Sequence, residues 1–309
     1  MQIKHLYMKM KYSNRISFPY GYINIHSDNY EFLCHNVLHN SNYQHKISNL
    51  VFDINFGIEK IDNDTTYRGK QFIEKGLYLG HHIGKKAKLR IINNTISVYI
   101  FNGNKSHYEK VFWNFILKYI LTYCSLITNS LHFKGVLLKD VDSKKGLVIL
   151  GKGGDGKTCL SKELQKHGYE ILSNTHIIID FDKVYGMNTW VRERRNDKDI
   201  YINKEEVTTL DCKLEKIFIY QFNDKGLYLR KKMALEDAYV FLNYFSNALI
   251  NYDLKEEVFD YMANKFIDSI KLLSNNDKLL KNIIEEYNID FLSLDIQNKN
   301  TIKSFIKDI

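Results

Sequence analysis

The sequence predicts an α/β protein in two parts: a strand-rich region over residues 1–127, then a region over residues 128–309 built on a strand, a glycine-rich loop and a helix, with further helices at its C-terminal end. Three observations carry that prediction. Segments of alternating apolar and polar residues concentrate in the first hundred positions. The run GKGGDGKT stands between an apolar tetrapeptide and a helical stretch. Leu, Ile, Phe and Tyr recur at helical spacing from Leu235 to Ile309. Length agrees, since 309 residues with 44% hydrophobic composition suffice to bury a core, and roughly 100–200 residues per domain suggests two domains.

Taken in order, Leu50 to Phe56 alternates apolar and polar side chains in part and reads as a strand, and Leu89 to Phe101 reads as a hairpin about Asn93-Asn94. Ser106 and Glu109 have the spacing of a capping box, in which each side chain satisfies a free amide at a helix start. A helix from about Tyr108 to Ile127 follows. Its apolar run, Val111 to Ile127, contains Asn114 and Lys118 and falls short of the roughly 20 apolar residues a spanning helix needs, so it predicts a buried core helix and no membrane partner. Gly135 to Lys139 and Leu147 to Leu150, joined by a polar turn over Asp140 to Lys145, read as two strands leading into the glycine-rich run. Lys216 to Phe222 reads as a further sheet strand. No internal repeat or low-complexity linker marks the boundary near residue 128, which rests on the change of pattern alone.

Composition excludes more than it identifies. Cys34, Cys124, Cys159 and Cys212 are far apart, with neither the paired spacing of a zinc site nor the density of a disulfide framework. They predict buried thiols in a reducing compartment. The N-terminus lacks an apolar stretch followed by a small-residue cleavage site, so a cytoplasmic location is expected. The net charge of +8 is dispersed among acids, which supports a general preference for anions and no nucleic-acid partner. Abundant Lys, Asn, Ile and Tyr with a single proline, Pro19, fit an AT-biased coding background.

The chemistry concentrates in Gly151-Lys152-Gly153-Gly154-Asp155-Gly156-Lys157-Thr158, followed by Cys159. This satisfies the Walker A pattern in full, with an apolar strand before it and a helix after it. Glycines let such a loop wrap so that its amides point inward at phosphate oxygens, and the following helix N-terminus adds partial positive charge. Residues 151–159 are therefore the candidate nucleotide-binding segment. Lys157 would reach the terminal phosphates, and the Thr158 hydroxyl would hold magnesium (Mg2+). The expected ligand is a purine nucleotide, ATP.

A wider pattern surrounds the loop: His132 on the strand Leu131 to Leu138, then the loop, then Lys166-His167-Gly168-Tyr169-Glu170-Ile171-Leu172-Ser173-Asn174. Over about residues 128–220 this resembles the C-terminal domain of HPr serine kinase/phosphorylase and its relatives in biosynthetic clusters. The resemblance implies a fold like that of phosphoenolpyruvate carboxykinase and transfer of the terminal phosphate of ATP to a hydroxyl. It also implies an aspartate pair after the second strand, one serving magnesium and one the acceptor hydroxyl. Here Asn174 and Thr175 stand at those places. An asparagine can orient a metal-bound water, but a threonine does not accept a proton at neutral pH, so the base must come from elsewhere.

His132 is the leading candidate, because the resemblance places it beside the terminal phosphate and imidazole has a suitable unperturbed pKa. His176, which follows the altered pair, is next. Asp180 and Asp182 end the same strand and are candidates for the metal. Downstream, Arg192 and Arg194 in Trp190-Val191-Arg192-Glu193-Arg194-Arg195 offer planar forks suited to phosphate or carboxylate, against the plainer reading of a charged surface strand. Two functions follow as expectations. The first is an ATP-dependent kinase acting on a hydroxyl-bearing peptide, protein or small-molecule acceptor. The second is a non-catalytic nucleotide-binding module, favoured by the Asn174-Thr175 departure. Homo-oligomerisation is expected by analogy only.

Overall fold

The computed structural model describes residues 12–36, 43–57, 70–73, 76–79, 87–92, 94–100, 108–109, 111–112, 116–187, 191–195, 198–202, 209–246 and 269–309. These form a mixed α/β structure with a seven-stranded sheet, an eight-stranded sheet and a two-stranded ribbon.

The first sheet contains β1 (Tyr12–Phe18), β2 (Gly21–Ser27), β3 (Leu50–Phe56), β4 (Lys70–Ile73), β5 (Gly76–Leu79), β6 (Ala87–Ile92) and β7 (Thr95–Ile100), with the short helix α1 (Tyr30–Asn36) after β2. Its order is β1-β2-β3-β7-β6-β5-β4. Alternation puts Ile23 and Ile25 of β2, Phe52, Ile54 and Phe56 of β3, and Ile96 and Val98 of β7 into the core, the period of two that a half-buried strand requires. The expected hairpin is β6–β7, closed by the pair Ile92↔Thr95, with Asn93 of its turn outside the described residues.

Helix α2 (Leu117–Thr128) packs on that apolar face. Leu117, Ile120, Leu121, Cys124 and Leu126 are buried, and so are Lys118, Thr122 and Ser125. Full burial of each large aliphatic side chain contributes roughly 1.5–3 kcal/mol, far more than the few tenths that helix propensity offers. Packing therefore holds this helix. It stops at Asn129, which is left-handed (φ 54, ψ 51) and donates its N–H to the Ser125 carbonyl, a conformation asparagine tolerates better than most residues. Of the helix expected from Tyr108, residues 108–109 and 111 are helical, while Ser106 and residues 113–115 lie outside the described residues. Among the described residues, no helix is long and apolar enough to cross a membrane.

The second sheet contains β8 (Leu131–Asp140), β9 (Lys145–Leu150), β10 (Tyr169–Ser173), β11 (His176–Asp180), β12 (Lys183–Gly186), β15 (Asp211–Phe222), β16 (Tyr228–Lys232) and β17 (Asn288–Leu294). Helix α3 (Lys157–Gln165) follows β9, and β13 (Val191–Arg195) with β14 (Lys198–Ile202) forms the separate ribbon. Strand β8 pairs with β10 and β11 on one edge and β9 on the other, and β15 pairs with β12, β9 and β17. The sequence of pairings β8–β11–β12–β15–β9–β8 returns to its start, so one part of this sheet closes into a ring. Helices α4 (Leu235–Phe245) and α5 (Ser269–Glu286) add Ala238, Leu242, Leu279, Leu280, Ile283 and Ile284 to a hydrophobic cluster shared with residues of these strands. Helix α6 (Lys299–Asp308) joins Phe305 to the cluster around α3.

Two findings modify the expected organisation. The stretch from Leu235 to Ile309 is not helical throughout, because β17 interrupts it and pairs in parallel with β15 from Lys216↔Asn288 to Phe222↔Leu294. Tertiary pairing here overrides local pattern. In addition, one hydrophobic cluster crosses residue 128, joining Ile23, Phe52 and Leu121 to Ile178, Tyr185 and Met187.

Candidate functional site

The glycine-rich loop leaves the middle of the second sheet. Leu147, Val148, Ile149 and Leu150 of β9 are all buried, because β9 runs between β8 and β15 with both faces covered, which permits an unbroken apolar run. The chain departs at Gly151, where an added Cβ would stand 2.5 Å from the Tyr220 carbonyl oxygen. Only glycine lets loop and β15 approach so closely. Gly154 (φ +94) and Gly156 (φ +81) occupy the left-handed region, where an L side chain is strained. The Lys152 amide donates to Asp155 Oδ2 at 3.0 Å, tying the loop across its base.

Helix α3 starts with Gly156 as its cap and no side-chain cap bond. Among the described residues no acceptor pairs with the amides of Gly153, Gly154, Gly156 or Thr158. Such open amides at a helix start make an electropositive concavity that an anion completes. Lys157 Nζ donates to the carbonyls of Gly151 (2.8 Å) and Lys152 (2.5 Å), so its ammonium lies along the start of the loop. Thr158 is partly exposed in the first turn, and Cys159 beside it is exposed with a free thiol. A magnesium ion that keeps most of its waters takes few protein ligands, and the partly exposed Thr158 hydroxyl is an oxygen that could serve as one. Leu160 and Leu164 anchor the helix in the core beneath.

Strands β9, β15 and β17 are parallel, so three connections emerge at the same end: the loop, the turn after β15 and residues 295–298 after β17. Ligands of open α/β sheets collect at such carboxyl ends. Ile296 closes on the loop, since a Cβ at Gly156 would meet its Cδ1 at 2.4 Å. Asp295 organises the turn, accepting from the Gly226 amide at 3.1 Å and the Gln297 amide at 2.9 Å. Asn174 and Thr175 stand between β10 and β11, where Thr175 accepts the Gly135 N–H at 3.2 Å. Gly135 is the β8 residue opposite Leu150, so the altered pair lies across β8 from the end of β9.

The two histidines face inward. His132 is 0% exposed, with Nδ1 3.0 Å from Thr122 Oγ1 of α2 and Nε2 3.0 Å from His176 Nδ1. Both ring nitrogens of His132 are thereby engaged, beneath a helix that bears on the first sheet. Burial, with a lesser push from the Lys118 charge, takes the His132 pKa down to about 3. An imidazole so placed is a poor base and has no open lone pair for an acceptor hydroxyl. The rate decline near the unperturbed histidine pKa that a His132 base would produce is therefore not expected from this residue.

A stability effect is expected instead. Above pH 6.5 His132 is neutral in both folded and unfolded chains. Below it the unfolded chain binds a proton that the folded chain refuses until about pH 3, so stability falls as pH drops through that window, by at most about 1.4 kcal/mol per pH unit. Urea denaturation at pH 7 and pH 5 should show a steeper loss in the unmodified protein than in His132→Gln. Equal slopes would remove His132 as the cause.

A scan against protein-family models and a search of curated proteins each returned no match. The resemblance around the loop thus rests on the residues quoted for it.

Asp180 and Asp182 lie away from the loop. Asp182 approaches Lys213 at 3.9 Å, near the beginning of β15, whereas Gly151 meets the far end of that strand at Tyr220. The β11–β12 hairpin carries both acids around the ring, which spacing along the chain does not reveal. Arg192 and Arg194 are in β13, paired with Tyr201 and Asp199; their side chains lie outside the described residues. Sequence reasoning missed Tyr220, Ile296 and the exposed Asp224 in the turn after β15. Tyr220 carried only the signal of a strand residue, and Ile296 reaches the loop through the β15–β17 pairing.

Proposed function

We propose that the protein binds a purine nucleoside triphosphate, ATP with Mg2+, at residues 151–159 and transfers its terminal phosphate to a hydroxyl of a peptide, protein or small molecule. The observation that supports this is the loop itself: left-handed glycines, amides unpaired among the described residues at a helix start with no side-chain cap bond, and Lys157 laid along its rim. Phosphoryl transfer depends mainly on positioning and charge neutralisation, which Lys157, the amides and a Thr158-held magnesium would supply. The fold we infer for residues 128–309 is that of the HPr kinase and phosphoenolpyruvate carboxykinase group. Asp224 is the exposed acid at the carboxyl end of β15 and replaces the histidines as candidate base. A cytoplasmic location and self-association complete this reading.

The buried histidines and the Asn174-Thr175 pair favour a second reading, a nucleotide-binding module without turnover. Titration calorimetry with ATP, paired with an assay of ATP consumption in the presence of candidate acceptors, separates the two: binding with acceptor-dependent turnover supports the kinase, and binding without turnover under any acceptor supports the module. Absence of ATP binding would reject both. Thr158→Ala should lower affinity for ATP chiefly when magnesium is present. Equal affinity with and without magnesium in the unmodified protein would remove Thr158 as a ligand.

A further inference from the structure

Tyr220 is 2% exposed, and its hydroxyl is a buried polar atom without a hydrogen-bond partner among the described residues. Leaving such a group unpaired is destabilising, a penalty a core phenylalanine would avoid. The residue sits where a penalty can be offset by function. Ile219 of β15 pairs with Leu150 of β9, so Tyr220 flanks the start of the loop, and its ring packs in the cluster that holds Leu160 and Leu164 of α3. Its backbone oxygen and the Asp155 carboxylate lie on the same side of Gly151, at 2.5 and 3.5 Å from the position of an added Cβ. Burial raises the hydroxyl pKa most, followed by the electrostatic influence of Asp155, Cys159 and Asp295.

Asp155 is the second half of the argument. A carboxylate within a loop that receives phosphates is repelled by them, and among the described residues the Asp155 carboxylate accepts from the Lys152 amide at 3.0 Å. We infer that Tyr220 is a positioning residue for the occupied loop: when phosphate enters, the Asp155 carboxylate withdraws from the cradle and accepts a hydrogen bond from the Tyr220 hydroxyl. The orphaned donor thus becomes satisfied only in the bound state, and the acid is kept off the ligand. This rests on the nucleotide-binding reading above and adds the group that adapts the loop to charge.

The test is a double-mutant cycle read by calorimetry with ADP and with Mg·ATP, alongside thermal unfolding of the empty proteins. Tyr220→Phe should leave the empty protein at least as stable as the unmodified one while weakening both ligands about tenfold. In an Asp155→Ala background the same substitution should change affinity by less than about twofold relative to Asp155→Ala alone. Asp155→Asn, which keeps an acceptor for the Lys152 amide, repeats the cycle should alanine disturb folding. Unchanged affinity in Tyr220→Phe, or an undiminished loss in the Asp155 variants, overturns the inference while leaving the loop reading intact. Failure of the unmodified protein to bind either ligand overturns both.

Discussion

Lys157→Ala should yield a folded protein whose ATP affinity is lower by roughly ten- to a hundredfold, the scale of a charge-assisted hydrogen bond worth about 1.5–3 kcal/mol, and in which any phosphate transfer is lost. The ammonium bonds two carbonyls of its own loop, Gly151 and Lys152, so the side chain is already at the rim where phosphate would arrive. Its removal leaves the amides of Gly153, Gly154, Gly156 and Thr158 in place, and weak residual binding is therefore expected. Circular dichroism establishes that the variant is folded, and calorimetry measures the loss. Unchanged affinity and turnover would withdraw the assignment of the loop.

Gly151→Ala should be the more damaging of two one-carbon additions to the same loop. The new Cβ would lie 2.5 Å from the Tyr220 carbonyl oxygen, a backbone atom fixed in β15 that cannot step aside as a flexible side chain would. Either β9 and β15 separate or the loop leaves its path, and overpacking of this kind costs typically about 1–3 kcal/mol. At Gly153 an added Cβ meets nothing within 4 Å, so Gly153→Ala should keep the unmodified thermal stability. Matched melting curves and ATP titrations of the two variants check the contrast. Equal melting temperatures in the two would contradict the close approach of the loop to β15.

Much of the fold was legible because local rules and tertiary demands coincide. Leu50 to Phe56 alternates along the sequence and half-buries in the sheet. The apolar run after Tyr108 is long enough for a helix and too polar for a membrane span, and α2 is buried accordingly. The glycine-rich loop announces itself because backbone sterics, not distant contacts, demand its glycines. Strand β17 was hidden by the helical composition around it and exists through its parallel pairing with β15.

The site divides along the same line. Sequence by itself determined the mixed α/β class, the strand–loop–helix unit and the identity of its glycines, lysine and threonine, since these follow from dihedral limits and short-range periodicity. Tertiary structure alone decided which groups share the end of the sheet. It turned His132 and His176 toward each other under α2, carried Asp182 to Lys213, and set Tyr220 and Ile296 against the loop. The physical reason is that burial and strand pairing join residues far apart in the chain, and a side chain's proton affinity and reach depend on that surrounding rather than on its neighbours in sequence.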